Sequence, residues 1–111
     1  MHITVNEPRR EVAVVSVEGE VDMSSSPEVR NALTPLLRPG RKAVVIDLSQ
    51  VQYMDSSGIA TMVEGLQHSM KQGIHFRLSA LSPPVRDVFE LARLTALFHI
   101  YPTTEEATSD L

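Results

Sequence analysis

The clearest pattern in the chain occupies residues 43–80, which read AVVIDLSQVQYMDSSGIATMVEGLQHSMKQGIHFRLSA. Ala43–Leu48 is an apolar run broken by a single aspartate, which is typical of a strand covered on both faces, as in parallel sheets. Ser57–Gln72 places apolar residues at helical spacing and is followed by Gly73, a natural left-handed cap. Ile74–Ala80 then alternates apolar and polar residues. The segment predicts a strand, a crossover helix and a second strand parallel to the first.

The residues before this segment predict a hairpin and one helix. Ile3–Val5 and Glu11–Val17 have the apolar pattern of two short strands, and residues 6–10 between them would form the turn. A helix is expected after Ser26, which can act as its N-cap, with Pro27 at the first helical position. Pro35 lies inside that helix and should bend or shorten it, since proline removes a backbone hydrogen bond.

The residues after this segment predict two further helices and a last strand. Ser82–Pro84 is expected to begin a helix, Leu97–Ile100 is a brief strand candidate, and Thr103–Glu106 has capping-box spacing for a short final helix. Strands and helices therefore alternate along the whole chain. This order predicts an α/β fold with a mixed, mostly parallel β-sheet and flanking α-helices, formed by residues 1–111 as a single domain.

Composition limits the classes of function. A chain of 111 residues with 42% hydrophobic residues suits one globular domain, and the absence of cysteine excludes disulfides and thiolate chemistry. Fourteen acidic against ten basic residues give a net charge of -4, which speaks against direct binding to nucleic acid. No run approaches the ~20 apolar residues that span a bilayer, and the N-terminus lacks the pattern of a secretory leader. We therefore expect a cytoplasmic protein that does not insert into membranes.

The sequence gives little support to catalysis. Ser56 and Ser57 follow a strand and precede a helix, but Asp55 stands where a hydrolase nucleophile turn needs its first glycine, and no histidine is placed as a base. Metal-ligand spacing and phosphate-binding glycine loops are absent, so no enzyme activity, metal or cofactor is expected. Asp47 resembles a phosphoacceptor aspartate, yet the acidic pair that would accompany one is missing. We interpret Asp47 as a strand-end carboxylate bonded to backbone amides.

The concentrated polar signal is Tyr53–Gly58, at the carboxyl end of the predicted central strand, where a crevice is expected. A helix N-terminus carries partial positive charge and free amides, so it favours a phosphate or an acidic group of a partner. Capping explains the same residues, with Ser56 or Ser57 accepting from the first-turn amides, and both interpretations can hold. Asp22 ends an earlier strand and would approach this edge if the strands are neighbours. Gly58 would let a partner come close because it lacks a side chain.

These residues, in this order, resemble a known family, the STAS domain, and specifically the bacterial anti-sigma-factor antagonists. The segments that carry the resemblance are Gly19–Asp22, Val44–Leu48, Met54–Ile59, Ala80–Phe89 and Leu94. The similarity covers roughly residues 3–105. Val21, where leucine is commoner in the family, is a mild departure.

The resemblance implies a phosphorylation switch. In such antagonists the first serine of the Asp-Ser-Ser-Gly motif, here Ser56, is phosphorylated by an anti-sigma factor that is also a serine kinase. The unphosphorylated form binds that anti-sigma factor and frees the sigma factor, and a serine phosphatase restores it. The residues expected to contact the partner are Asp22, Asp55, Ser56, Ser57, Gly58 and Ile59. The alternative is a non-switching STAS interaction subunit of a transport or other signalling assembly, in which Ser56 merely caps the helix. The sequence does not indicate an oligomeric state.

Overall fold

The computed structural model describes residues 1–111 and contains one five-stranded sheet with helices on both faces. Its elements are β1 (His2–Arg9), β2 (Val12–Val21), α1 (Ser26–Leu33), β3 (Ala43–Met54), α2 (Ser56–Gln72), β4 (His75–Ser79), α3 (Pro83–Leu91), β5 (His99–Tyr101) and α4 (Thr104–Thr108). The strand order is β1-β2-β3-β4-β5. The first pair is antiparallel and the other three pairs are parallel. The predicted α/β class with a mixed, mostly parallel sheet is confirmed.

Strand β3 is the centre of the sheet, as its apolar run predicts. It pairs with β2 on one side and β4 on the other, and its first four residues, Ala43–Ile46, are completely buried. Helix α2 is the crossover between β3 and β4 and ends at Gly73, whose φ of 70° is left-handed. The strand continues to Met54, beyond the predicted end at Leu48. The exposed residues Gln50, Gln52 and Tyr53 hide this extension, because they interrupt the apolar pattern that Val51 and Met54 continue.

The hairpin of β1 and β2 is present, but its predicted turn at residues 6–10 is wrong. Asn6 pairs with Val14 and Arg9 pairs with Val12, so the connection consists of Arg10 and Glu11. The register shifts between Asn6 and Arg9, which marks a bulge. A proline is tolerated at such a place because β1 is an edge strand with one row of amides free. Residues 6–10 therefore have the composition of a turn, but most of them form an irregular edge strand.

Helix α1 begins one residue before the predicted start, because its cap differs. Ser25, not Ser26, occupies the N-cap position, and no side chain caps the helix. The Ser25 hydroxyl instead accepts from the amide of Asp22 at 2.9 Å and donates to the carbonyl of Glu20 at 2.7 Å. The expected effect of Pro35 is confirmed, since the α-helix ends at Leu33 and the next three residues form a 3-10 turn.

The sheet separates a large core from a small one. Helices α1, α2 and α3 cover one face, where 19 buried residues form the main core, and α4 covers part of the other face, where Ala107 packs against Val14 and Val45. Arg77 fixes α4 by donating to the Ala107 carbonyl at 3.0 Å and to Asp110 at 3.1 Å. None of the helices has the length and apolar character needed to cross a bilayer. Helix α2 and the residues that precede it therefore lie on the face of the sheet that holds the main core.

The last elements follow the sequence pattern closely. Helix α3 starts at Pro83 and β5 spans His99–Tyr101, within two residues of the predicted positions. Helix α4 begins after Thr103, whose hydroxyl accepts from the amide of Glu106 at 3.1 Å, as capping-box spacing predicts.

Candidate functional site

The candidate site lies where β2 and β3 end side by side. Val21 is paired with Met54, and the amide of Asp55 donates to the carbonyl of Val21 at 3.1 Å. The residues that follow the two strands, Asp22 and Asp55, are therefore held at one edge of the sheet, as expected if the strands are neighbours. The hydrogen bond from the Ser57 hydroxyl lowers the pKa of Asp55, and the nearby negative charge of Asp22 opposes part of that lowering.

Asp55 is the N-cap of α2. Its Oδ1 accepts from the amide of Ser57 at 2.9 Å, the hydroxyl of Ser57 at 2.6 Å and the amide of Gly58 at 3.3 Å. The expectation that Ser56 or Ser57 caps the helix is therefore wrong. Asp55 has the extended backbone of an N-cap, and its negative charge is favoured beside the positive end of the helix, so the carboxylate takes the role.

The two adjacent serines lie in different surroundings. Ser56 is the first residue of α2, is exposed, and its hydroxyl makes no hydrogen bond within the domain. Ser57 is half-buried and its hydroxyl is held by Asp55. Ser56 is therefore the serine of the pair whose hydroxyl is open to a second protein.

Gly58 is buried, which changes its interpretation. A Cβ at this position would lie 2.5 Å from Cγ of Met54 and 2.9 Å from Cγ1 of Val21. Such distances are too short for carbon atoms, so a side chain would force α2 away from the strands. From the sequence, the glycine was interpreted as leaving room for a partner. The geometry indicates instead that glycine is needed for packing inside the domain. Ile59 is half-buried and also packs against the main core.

Asp22 organises the loop between β2 and α1. Its Oδ1 accepts from the amide of Ser24 at 2.9 Å, the hydroxyl of Ser24 at 2.7 Å and the amide of Ser25 at 3.1 Å. These bonds, led by the one from the Ser24 hydroxyl, hold the pKa of Asp22 below its ordinary value. The sequence interpretation left Ser24 and Ser25 out of the site. The signal that marks them is an aspartate followed by serines two and three residues later, the pattern of an Asx-turn. Met23, between them and Asp22, is 80% exposed.

The edge that carries Ser56 holds acidic side chains. Glu20, Asp22 and Asp55 lie near or just beyond the carboxyl ends of β2 and β3. The opposite end of these strands holds charges of both signs, since Arg38 pairs with Glu11 and Arg41 with Glu7. The Ser56 edge is therefore acidic, which the net charge of the chain does not reveal.

No cavity opens at Ser56. The largest surface cavity, about 490 Å³, lies between the end of α2 and β5 and is lined by residues such as Met70, Leu97 and His99. None of the cavities includes Asp22, Asp55 or Ser56. The expected crevice is therefore absent, and the edge that carries Ser56 is an open surface. Such a surface suits contact with a macromolecule better than enclosure of a small ligand.

Asp47 has the role that its sequence context favours. Its Oδ1 accepts from the amide of Ser49 at 3.0 Å, and its Oδ2 accepts from the hydroxyl of Ser16 at 3.4 Å. It lies within β3, not at its end, and faces away from α2 toward the side of the sheet that carries α4. The predicted bonding to a backbone amide is confirmed, but the second donor is a hydroxyl and the predicted place at the strand end is wrong.

Asp55 is expected to make the stability of the domain depend on acid. The hydrogen bond from the Ser57 hydroxyl, the largest effect, and those from two amides lower the pKa of Asp55 below its ordinary value, about 3.9. A lowered pKa stabilises the fold above the pKa of the unfolded chain, and this contribution is lost as pH falls through the lower folded value. Carbon-detected NMR titration should give Asp55 a lower pKa than that of an aspartate in an unstructured peptide.

Urea unfolding supplies the matched comparison for this effect. Between neutral pH and pH ~3 the Asp55→Asn chain is expected to lose less stability than the wild type, because asparagine does not titrate. Equal losses in the two chains would show that the carboxylate contributes nothing to the acid sensitivity.

Comparison with known proteins places these features in a family. The model of the STAS domain family matches residues 4–107. An anti-sigma-B factor antagonist of Staphylococcus aureus is 31% identical over 91 residues, which cover 82% of this chain and 84% of that protein. The crystal structure of an anti-sigma factor antagonist from Mycobacterium paratuberculosis superposes with a TM-score of 0.85 at 32% identity, covering 98% of this chain and 93% of the other.

A third comparison bears on the fold alone. The phosphorylated form of the Bacillus cell fate determinant SpoIIAA has a TM-score of 0.77 at 22% identity, with 98% of each chain covered. The family match spans nearly the whole chain, and both relatives above 30% identity are described as antagonists of anti-sigma factors. The chain therefore belongs to the STAS domain family, among the anti-sigma factor antagonists.

Proposed function

We propose that this protein docks through its Ser56 edge onto an anti-sigma factor, and that phosphorylation of Ser56 releases it. The observation that carries the proposal is the exposure of Ser56, with an unbonded hydroxyl, at the start of α2 on a surface without a cavity. The names of the relatives support the identity of the partner, since they are antagonists of anti-sigma factors.

The charge of the site explains how one phosphate could act as a switch. A phosphoserine adds about -1.5 to -2 charges at neutral pH, to an edge that already holds Asp22 and Asp55. The domain itself tolerates the group, because an anion at a helix N-terminus is favoured by about 0.3–1 kcal/mol. A partner packed closely over Ser56 would have to bury the new charge. About 1.4 kcal/mol of added free energy already weakens binding tenfold, so release needs no refolding.

The proposal assigns the chemistry to the partners. The anti-sigma factor would supply the serine kinase activity, a separate serine phosphatase would restore the binding form, and this chain would be their substrate in the bacterial cytoplasm. The site supports that division, because the hydroxyl of Ser56 has no base and no orienting side chain bonded to it. The output of the protein is then a change of partner, which frees the sigma factor.

Phosphopeptide mapping tests the proposal. The wild-type chain is incubated with the anti-sigma-factor kinase of its source bacterium and Mg-ATP, and phosphate is expected on Ser56. The Ser56→Ala chain is expected to bind the kinase and to remain unmodified. Ser109→Ala is the matched control, because it removes an exposed serine hydroxyl next to α4, away from the site, and should leave the phosphate on Ser56 unchanged.

Two results would count against the proposal. Phosphate on another residue in both the wild type and the Ser56→Ala chain would remove Ser56 from the switch. Stable binding of a partner with no phosphate under any condition would favour the alternative, a non-switching STAS subunit in which the same edge docks a partner.

A further inference from the structure

The Asp-Ser-Ser-Gly segment presents two hydroxyls of identical chemistry, one residue apart, and only one of them is free. Ser56 is exposed and unbonded, whereas the Ser57 hydroxyl lies 2.6 Å from Oδ1 of Asp55. The same oxygen also accepts from the amides of Ser57 and Gly58. Asp55 therefore holds Ser57 through both its backbone and its side chain.

Phosphoryl transfer makes demands that Ser57 cannot meet in this arrangement. The serine oxygen must lie in line with the γ-phosphorus of ATP, so that the new O–P bond forms as the bond to the ADP oxygen breaks, while the hydroxyl proton passes to a base of the kinase. The Ser57 proton is directed at Asp55, and the side chain is half-buried. A phosphate on Ser57 would also lie against the carboxylate of Asp55 and disrupt the cap.

Asp55 is itself a poor candidate for the base that activates Ser57. The bonds it accepts from the Ser57 hydroxyl and two amides lower its pKa, so the carboxylate has little tendency to take a proton. A proton on Asp55 would also weaken the cap that holds the first turn of α2. The contact therefore restrains the hydroxyl of Ser57 and does not prepare it for attack.

We propose that Asp55 is the residue that determines which serine is modified, by withdrawing the hydroxyl of Ser57 and leaving that of Ser56 as the one acceptor. This inference rests on the proposed function, since it concerns the specificity of the same phosphorylation. It makes Asp55 a positioning residue within the substrate, which acts through Ser57 and does not itself touch the transferred phosphate.

The test measures phosphate on Ser57 in chains that lack Ser56. The Ser56→Ala chain, its double variants with Asp55→Gly and Asp55→Asn, and the wild type are treated with the kinase that modifies the wild type and Mg-ATP. Glycine is well tolerated as an N-cap but offers no acceptor, so Ser56→Ala/Asp55→Gly is expected to gain phosphate on Ser57 at least tenfold over Ser56→Ala. Asparagine keeps an oxygen acceptor, so Ser56→Ala/Asp55→Asn should remain near the Ser56→Ala level.

A control separates loss of restraint from general loosening of the fold. Thr103 caps α4 on the other face of the sheet, as Asp55 caps α2. The Ser56→Ala/Thr103→Gly chain loses a cap without touching the site and should stay unmodified on Ser57. Phosphate on Ser57 in this chain, or in Ser56→Ala alone, at the level reached by Ser56→Ala/Asp55→Gly would overturn the inference while leaving the proposed function intact. So would an unmodified Ser57 in a folded Ser56→Ala/Asp55→Gly chain.

A second measurement needs no kinase. NMR exchange of the hydroxyl protons should be at least tenfold slower at Ser57 than at Ser56 in the wild type. The difference should vanish in Asp55→Gly and persist in Asp55→Asn. Equal exchange of the two hydroxyls in the wild type would contradict the inference. Failure of the kinase to modify the wild type would instead count against the proposed function.

Discussion

Replacing Ser56 by aspartate is expected to weaken binding of the anti-sigma factor at least tenfold. Ser56 begins α2 at the acidic edge of the domain, next to Asp55 and the loop of Asp22. A charge buried in an interface without a counter-charge is penalised by several kcal/mol, and about 1.4 kcal/mol is enough for a tenfold loss. Aspartate carries less charge than a phosphoserine, so tenfold is the lower bound expected for the proposed phosphorylation. Isothermal titration calorimetry with the purified anti-sigma factor measures the effect.

Asparagine at the same position separates charge from size. The Ser56→Asn side chain has the shape of aspartate and no charge, so its affinity is expected to stay within about threefold of the wild type, and Ser56→Ala is expected to bind equally well. A matching loss in the aspartate and asparagine variants would mean that volume, not charge, controls docking. Unchanged affinity in the aspartate variant would remove charge as the basis of the switch.

The fold was predictable where one pattern leaves one arrangement. Ala43–Leu48 is apolar at almost every position, and a strand of that kind needs cover on both faces. A helical stripe and a second strand follow it directly, so a parallel crossover is the simplest arrangement. The turn at residues 6–10 was wrong because its composition suits both a turn and an irregular edge strand. Only pairing between Asn6 and Val14 distinguishes the two.

The site was predictable in location but not in atomic detail. The carboxyl end of β3 and the proximity of Asp22 follow from strand order. The identity of the capping residue does not follow from strand order. Asp55, Ser56 and Ser57 are all good caps, and which of them caps α2 depends on the residue at which β3 ends. That point is set by the pairing of Val21 with Met54, a contact between segments more than 30 residues apart.

Gly58 shows why a glycine in a motif is the hardest residue to interpret from sequence. It has no side chain whose polarity could indicate the face on which it lies. A role in partner contact and a role in packing would both require glycine, so the sequence does not distinguish them. The structure gives it neighbours on the inner side, Met54 and Val21, both almost completely buried. The two roles differ in what a single added carbon would do.

Gly58→Ala is expected to destabilise the domain by about 1–3 kcal/mol, the usual range for overfilling a packed core. The new Cβ would overlap Cγ of Met54 at 2.5 Å and Cγ1 of Val21 at 2.9 Å, so α2 must lift from the sheet or Met54 must leave its rotamer. Alanine regains up to ~1 kcal/mol of helix propensity, which offsets part of the cost of an overlap with two atoms and places the net loss in the lower half of that range. Urea unfolding followed by circular dichroism measures the change.

The matched control and the partner decide between the two roles of this glycine. Gln67→Ala changes an exposed position of the same helix and is expected to stay within ~0.5 kcal/mol of the wild type. Because α2 carries Ser56, a displaced helix should also weaken binding of the anti-sigma factor, and in proportion to the loss of stability. A Gly58→Ala chain as stable as the wild type that no longer binds would show instead that the glycine leaves room for the partner, as its sequence context first suggested.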